Sequence, residues 1–281
     1  MKTPFRKLVA AVMLLAPLMV VAGAQPAGKA EITSLLGKPL YALADEKEAL
    51  SPLQKELDAD PADPVRMHAL GKALARLWRF NEGIDWMSRA LEKQPDNGVF
   101  LLDRGHAYVN IRKFKEAEKD LEKAAALAPD NRDVFYHLGL AHYFQRRFDK
   151  AADAFRQSRD LADGDEAIVA ASDWLYMSLM RAGKKEAAAV VLERIVPTMQ
   201  IKENTAYFHR LLLYKGVKKE EELIAPDAVP LQVATFSYGI GNWHLYNGRS
   251  EKAREYFQRI VGTNYWPAFG FVGAEVELSA R

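Results

Sequence analysis

The sequence predicts an all-α fold, a solenoid of antiparallel helix pairs, because three kinds of residue recur at one spacing. Prolines recur at a constant interval, at Pro61, Pro95 and Pro129. Glycines keep the same interval, at Gly71, Gly105 and Gly139, and so do aromatic residues, at Phe80, Phe114 and Phe148. A period of about 34 residues with small and aromatic residues at fixed offsets is typical of helix–turn–helix units that stack side by side.

The segment Met1–Ala24 has the composition of a secretory signal peptide. Three cations precede an uncharged apolar run, Leu8–Val21, and small residues follow at Ala22 and Ala24. The alternative, a membrane anchor, needs about 20 apolar residues, and Pro17 interrupts this shorter run. We therefore expect cleavage near Ala24 and a mature protein in the periplasm or outside the cell, without stable insertion in a membrane.

The charge balance and the lack of cysteine exclude several classes of function. The chain has 39 basic and 37 acidic residues, and loss of Met1–Ala24 would remove Lys2, Arg6 and Lys7 but no acidic residue. The nearly neutral balance that results gives no support to nucleic acid as a partner. Without cysteine, the chain has no disulfide, thiolate metal site, cysteine nucleophile or cysteine for lipid attachment.

The segment before the repeats is expected to be irregular and then helical. Residues 25–44 contain Pro26, Gly28, Gly37 and Pro39, which predict a flexible or extended leader. Residues 45–57 have a helical apolar pattern with acids in the first turn. Because Pro61 follows at the repeat spacing, we interpret this helix as half of a truncated repeat that caps the apolar end of the stack.

Three regular repeats follow, at 63–97, 98–131 and 132–164, within an array that spans 45–196. Asp63 and Pro64 predict a helix start, since an acceptor at the cap and a proline in the first turn are both favourable there. A glycine in the middle of a helix costs about 1 kcal/mol relative to alanine, so it predicts that a neighbouring helix comes close. The structural repeat positions are Gly71, Ala90, Gly105, Ala117, Gly139, Ala151, Gly241 and Ala253.

Beyond residue 164 the spacing becomes irregular. Residues 168–180 and 186–196 predict a degenerate helix pair, which Pro197 ends. We expect an irregular helical segment and loop over 197–235, with a helix at 203–214 and the loop marked by Pro226 and Pro230. A final repeat-like pair, 236–246 and 250–261, precedes a capping helix at 266–280, so that 236–281 forms the C-terminal unit.

The second repeat carries the most specific pattern. The stretches Leu102–Tyr108, Phe114–Ala117 and Leu121–Ala124, closed by Pro129, resemble a consensus tetratricopeptide repeat (TPR). The likeness covers about 45–262. It implies a right-handed TPR solenoid with terminal capping helices and a function in protein or peptide binding.

The organisation of the whole chain resembles NlpI-type periplasmic TPR proteins, with Trp174-Leu175-Tyr176 in a degenerate repeat and Tyr214-Lys215-Gly216 before a charged turn. This resemblance implies a non-enzymatic adaptor of the bacterial cell envelope whose partner is an envelope protease or hydrolase. The chain departs from the pattern because it has no lipidation cysteine.

No motif for catalysis, cofactor binding or metal binding stands out. The six histidines form no HExxH motif, and His142 and His244 fall on packing positions, which predicts core residues. Gly239 and Gly241 lie in a helical pattern with no strand before them, so they do not predict a dinucleotide site. We expect no catalytic residue, cofactor or metal ligand, and keep two alternatives open: an enzyme with an unrecognised site, and a structural subunit that uses its convex face.

Basic residues recur at the turns inside the repeats, as at Arg112–Lys115 and Gln145–Arg147. A basic patch for anionic lipid or nucleic acid is one reading. We favour a solvated turn in which cations lie near helix C-termini.

The inner wall of the solenoid is the expected binding surface. Projection of the repeat period places these residues on it: Val65, His68, Lys72, Arg76, Leu102, His106, Asn110, Tyr136, Leu140 and Tyr143. A groove with aromatic residues and two cations suits an extended or helical peptide of partly acidic character. The lysine–asparagine clamp by which some TPR proteins hold a C-terminal carboxylate is replaced here by His68/Lys72 and Leu102/His106. A solvated helix face remains the alternative, and the oligomeric state, a homodimer included, stays open.

Overall fold

The structure is a computed structural model that describes residues 29–45, 48–225 and 227–280. Within these residues the regular structure consists of thirteen α-helices, two short strands and one 3₁₀ turn. The helices are α1 (Ser51–Ala59), α2 (Pro64–Arg76), α3 (Phe80–Lys93), α4 (Gly98–Asn110), α5 (Phe114–Leu127), α6 (Arg132–Phe144), α7 (Phe148–Asp160), α8 (Asp165–Arg181), α9 (Lys185–Glu193), α10 (Thr205–Tyr214), α11 (Pro230–Tyr246), α12 (Ser250–Val261) and α13 (Phe269–Ser279). The predicted signal peptide lies outside the described residues.

The three regular repeats begin at side-chain caps that share the spacing of the prolines and glycines. The side chains of Asp63 and Asn97 each accept two hydrogen bonds from backbone N–H groups of the helix that follows, the shorter being 2.8 Å and 3.1 Å long, and Asn131 accepts one of 3.0 Å. Each cap satisfies donors that the first turn of a helix leaves unpaired. The repeat boundaries inferred from the sequence therefore coincide with the starts of α2, α4 and α6.

The glycines of the repeats lie where a large side chain of the paired helix crosses. A Cβ added at Gly139 would lie 2.7 Å from a ring carbon of Phe155, and one at Gly105 would lie 2.7 Å from Cγ of Leu121. Gly241 has the same relation to Phe257 in the last pair. Each of these glycines thus accommodates a large residue of its own hairpin, and the close approach of helices that the sequence predicted occurs within the pair.

The turns inside the helix pairs require a left-handed residue. In the regular repeats this residue is Trp78, Arg112 or Arg146, with φ values of 61°, 64° and 60°. In the second half of the chain it is a glycine, as at Gly183 and Gly248, where φ is 77°. Non-glycine residues are disfavoured in this region because Cβ approaches the following carbonyl oxygen.

The starts of α1 and α11 differ most from the sequence prediction, by six residues each, and a proline explains each difference. α1 begins at Ser51, not at residue 45, because Pro52 fits the first turn of a helix, and the Asp45 carboxylate accepts a 2.8 Å hydrogen bond from Ala49 N in a separate turn. α11 begins at Pro230, ahead of the predicted start at residue 236. Proline is favourable there because its missing N–H would be unpaired anyway.

The two ends of the described chain meet. The expected flexible leader contains an antiparallel pair of strands, β1 (Ile32–Thr33) and β2 (Pro39–Leu40), with Ile32 opposite Leu40. Beyond β2, the Tyr41 carbonyl oxygen accepts a 2.8 Å hydrogen bond from the indole N–H of Trp266. The N-terminal hairpin therefore closes the solenoid against the segment that leads into α13.

Of the helices in the described residues, none has both the length and the apolar character needed to cross a bilayer.

Candidate functional site

The chain's own C-terminal segment covers part of the inner wall. Leu140 and Tyr143, predicted to face a peptide, are 0% and 1% exposed. The Tyr143 hydroxyl donates a 3.1 Å hydrogen bond to Asn242 Oδ1, and its ring meets the edge of Trp174 at 5.2 Å. At these two positions the predicted wall is therefore part of the protein interior.

Buried and half-buried ion pairs hold α13 against the inner wall. The Arg112 guanidinium pairs with the Glu275 carboxylate, and both side chains are almost completely buried. Glu277 pairs with Arg181 at 2.6 Å and with Arg146 at 3.2 Å. The interpretation of Arg112 as a solvated turn residue is wrong, because α13 folds back over that turn and removes its side chain from water.

One cavity of about 540 Å³ remains open between the first two repeats and the C-terminal half; we call it the chamber. Its lining includes four of the predicted wall residues: Lys72, Arg76, His106 and Asn110. Across from them lie α10, the start of α11 and the segment Tyr265–Gly270. The structure thus brings together four predicted residues of the first two repeats, and none of the predicted residues of the third repeat lines the chamber.

The remaining predicted residues of the inner wall lie outside the chamber lining. His68 is buried and its Nε2 lies 2.8 Å from Asp103 Oδ2. Tyr136 donates a 3.5 Å hydrogen bond to the hydroxyl of Tyr207, which lines the chamber. Leu102 is half-buried, and Val65 is exposed at the start of α2.

Charge in the chamber is unevenly compensated. Asp103 lies 3.1 Å from the Lys72 ammonium as well as 2.8 Å from His68. Burial alone would raise the pKa of Asp103, but the hydrogen bonds from His68 and Lys72 outweigh it and lower the pKa, so the carboxylate stays charged. Arg76 is exposed at the mouth and forms no ion pair with any described residue.

A second ion pair lies at the side of the chamber, between α8 and α10. Asp173 Oδ2 and Arg210 Nη2 are 2.6 Å apart and both side chains are buried. Burial raises the pKa of Asp173 to about 7, although the guanidinium of Arg210 opposes the change. Arg210 also donates a 3.0 Å hydrogen bond to the Thr235 carbonyl oxygen, so its donors are directed into the protein.

Two histidines and a phenylalanine form an aromatic cluster at the chamber, in tilted and edge-to-face contacts. The rings of His106 and His137 have centroids 4.5 Å apart, and Phe269 lies 5.5 Å from His106. Burial, with a smaller contribution from His137, lowers the pKa of His106 to about 3. His106 is therefore neutral at neutral pH and offers an aromatic surface, not a charge.

Two buried polar atoms of the lining residues have no hydrogen-bond partner among the described residues, Nε1 of Trp174 and Oδ1 of Asn110. Asn110 is 3% exposed; its Nδ2 donates a 2.9 Å hydrogen bond to the Pro267 carbonyl oxygen, while its Oδ1 accepts none from the described residues. A buried acceptor without a donor carries a free-energy cost of about 1–3 kcal/mol. Asn110, a residue of the chamber lining, thus carries a buried acceptor that is not paired.

Sequence reasoning missed the residues that come from outside the projected wall, chiefly Asp103, Arg210 and the segment Tyr265–Gly270. One signal was visible. Asp173 and Arg210 are lone charges within apolar helices, and a buried charge needs a partner of opposite sign. The sequence did not indicate that the segment Tyr265–Gly270 lines the chamber, because its position depends on where the last helix packs.

The histidines predicted to be core residues are buried, with His142 5% and His244 2% exposed. In the described part of the chain, one group is close enough to hold a cation: Glu118, Glu122 and His142. Arg147 already donates 2.6 Å and 2.8 Å hydrogen bonds to the two oxygens of Glu118. This guanidinium occupies the place at Glu118 that a metal ion would need.

Comparison with known proteins identifies the repeat. Residues 102–166 match a family model described as tetratricopeptide repeat. Together with the thirteen helices of the described residues, this match confirms the predicted fold class, an all-α TPR solenoid. No curated protein sequence matches the chain.

Solved structures with a similar fold include MamA from Desulfovibrio magneticus RS-1, which is 24% identical with a TM-score of 0.49. The alignment covers 53% of this chain and 82% of MamA. Another is YrrB, described as a TPR protein with an unusual peptide-binding site, which is 18% identical with a TM-score of 0.49. That alignment covers 76% of this chain and 92% of YrrB.

Proposed function

We propose that this protein is a non-enzymatic adaptor of the bacterial cell envelope that binds a segment of a partner protein in the chamber. The signal-like composition of Met1–Ala24 supports export. The resemblance to NlpI-type proteins favours an envelope protease or hydrolase as the partner.

The observation that carries the proposal is the chamber itself. It is a concave site of about 540 Å³, within the size range of ligand pockets, and it combines aromatic walls with a few polar groups. Such a lining binds a ligand by burial of apolar surface and orients it by hydrogen bonds and charge.

Site-specific crosslinking in envelope extracts tests the proposal. A photo-reactive phenylalanine at Leu231, which is 43% exposed at the chamber, should give a defined crosslinked product. The same group at Val190, which is 58% exposed on α9 and outside the chamber lining, is the matched control. An identical product from both positions, or none from Leu231, would contradict the proposal.

A variant that fills the chamber separates binding there from binding nearby. Thr235 lies half-buried in the lining, so Thr235→Trp should fill part of the cavity and abolish the Leu231 product. Thr235→Val keeps the volume and should retain the product. Melting curves of both variants provide the check that each is folded.

A further inference from the structure

On the basis of the proposed function, we infer that the chamber binds a short acidic segment of its partner that presents one tryptophan side chain. The geometry of three features of the lining carries this assignment: the charge at the mouth, the aromatic walls and the unpaired acceptor on Asn110.

The charge at the mouth is positive. Of the ionic groups in the lining, Asp103 is compensated by Lys72 and His68, and Arg210 is compensated by Asp173. Arg76 alone has no described ion partner and remains exposed. A carboxylate of a bound segment can therefore form a charge-assisted hydrogen bond with Arg76 without displacing an existing partner.

The walls bind a large apolar side chain. Aromatic and apolar side chains surround the cavity: Trp78, Phe80, Met87, Trp174, Tyr207, Tyr265 and Phe269. Aromatic side chains prefer edge-to-face or offset contacts with other rings. A tryptophan side chain bound here would bury more apolar surface than any other residue type.

The segment that enters must be short. Beyond Asn110 the inner wall is covered, since Leu140 and Tyr143 are buried and Pro267 accepts the hydrogen bond of Asn110. A long extended strand cannot continue from the first two repeats along the third. The chamber therefore accepts a single anchoring side chain with its neighbours, not a strand that runs the length of the solenoid.

The unpaired Oδ1 of Asn110 selects among large apolar side chains. It needs an N–H or O–H donor, and Nδ2 of the same amide is already engaged by Pro267. Tryptophan combines an apolar ring system with one N–H donor. Phenylalanine, which has no donor, would leave this acceptor unpaired.

Calorimetric titration of the mature protein with four blocked pentapeptides tests the inference. The reference probe is acetyl-Glu-Glu-Trp-Glu-Glu-amide. The others replace tryptophan by phenylalanine, tryptophan by alanine, or all glutamates by lysines. We expect binding to weaken about fivefold with phenylalanine, because a hydrogen bond to a buried acceptor is lost, and about tenfold or more with alanine or with lysines.

Two charge reversals distinguish local recognition from general attraction. Arg76→Glu at the mouth should weaken the reference peptide about tenfold. Arg89→Glu makes the same change of net charge on the exposed face of α3, outside the lining, and should weaken it less than twofold. Each variant is compared with the wild type by its melting curve.

Equal binding of the glutamate and lysine peptides, equal losses in the two variants, or no binding of any peptide would overturn the inference. These results leave the crosslink at Leu231 unaffected. A Leu231 product without peptide selectivity would therefore reject the acidic tryptophan segment and retain the proposed adaptor function. Loss of the Leu231 product would reject both.

Discussion

The regular repeats α2–α7 and the C-terminal half α8–α13 use the same helix pairs but are held together differently. In the repeats, each glycine accommodates a large residue of its own hairpin, such as Phe155 over Gly139, which lies on the next helix along the chain. In the C-terminal half, Gly241 has the same relation to Phe257. A fully buried ion pair there also joins two helices of different hairpins, Asp173 on α8 and Arg210 on α10. Both regions are thus stabilised by contacts within hairpins, and the C-terminal half adds buried ion pairs to them.

The difference shows that this solenoid is not a sum of neighbouring repeats. In an open repeat array each unit contacts only its neighbours, and stability is approximately additive along the chain. Here Arg112, in the turn of the second repeat, pairs with Glu275 on the last helix, 163 positions away. The first and last parts of the molecule should therefore unfold together.

The largest expected effect comes from breaking this long-range pair. Glu275→Leu leaves the Arg112 guanidinium buried without a counter-charge, which should lower the free energy of unfolding by about 3–5 kcal/mol. The double variant Arg112→Met, Glu275→Leu removes both charges and should recover most of this loss. Chemical denaturation of the two variants and the wild type measures both effects.

Glu255→Leu on the exposed face of α12 is the matched control and should change stability by no more than about 0.5 kcal/mol. If Glu275→Leu behaved like this control, α13 would not be a structural part of the solenoid. A separate unfolding transition for the C-terminal half would equally contradict the comparison.

Substitution of glycine tests whether the two regions are equally close-packed. A Cβ at Gly71 would lie 2.8 Å from the Gly83 carbonyl oxygen, and a Cβ at Gly270 would meet the Ala234 carbonyl oxygen even closer. Backbone atoms cannot rotate away, so Gly71→Ala and Gly270→Ala should each cost about 1–3 kcal/mol. At Gly105 the neighbour is the Leu121 side chain, and the gain of about 1 kcal/mol in helix propensity should offset much of the cost.

Thermal unfolding of the three alanine variants provides the measurement. The order of stability should place Gly105→Ala above Gly71→Ala and Gly270→Ala. A neutral result at Gly270 alone would show that α13 packs loosely against α11. The contrast between the two regions would then lie in their rigidity as well as in their contacts.

The periodic part of the fold was predictable because each repeat is determined by nearby residues. Asp63 and the glycines at 71, 105 and 139 set the start of the first repeat and the close approach within each hairpin, and the structure has both features. The closure of the inner wall was not predictable. It depends on the direction in which α13 leaves α12, and no spacing in the sequence encodes the pairing of Arg112 with Glu275.

The same limit explains the candidate site. The repeat period correctly predicted that one surface contains Lys72, Arg76, His106 and Asn110, because these positions recur on the inner helices. It could not show that Leu140 and Tyr143 would be covered, since the covering elements belong to the irregular part of the chain. The peptide-binding role of the predicted residues remains a prediction.

A smaller effect is expected from pH, through the aromatic cluster of His106, His137 and Phe269 where the two regions meet. Burial lowers the pKa of His106 to about 3, whereas an unfolded histidine has a pKa of about 6.5. Between these values the unfolded chain binds a proton that the folded protein does not, so stability falls as pH decreases through this window. His106 should contribute about 1–2 kcal/mol of destabilisation between pH 7 and pH 5.

His106→Phe keeps an aromatic ring against His137 and Phe269 but removes the proton-binding group. The variant should lose less stability than the wild type between pH 7 and pH 5, a range above the titration of ordinary carboxyl groups. Denaturation at the two pH values measures the difference. Equal losses in the two proteins would show that His106 is not held neutral by the packing of Phe269 over the inner wall.

The smallest effects are expected at the turns inside the helix pairs. The left-handed residue of these turns is not a glycine in the regular repeats, but it is a glycine in the C-terminal half. Gly248 has a φ of 77° with no atom near its absent side chain, so Gly248→Ala should cost about 1 kcal/mol through backbone strain alone. Arg146→Gly relieves the same strain at a φ of 60°, but it makes the unfolded chain more flexible and removes a half-exposed ion pair with Glu277. We therefore expect a change close to zero, measured by thermal unfolding. A loss at Arg146 larger than the loss at Gly248 would mean that its contact with α13 outweighs the strain of the turn, so that even this turn of the regular repeats depends on the C-terminal half.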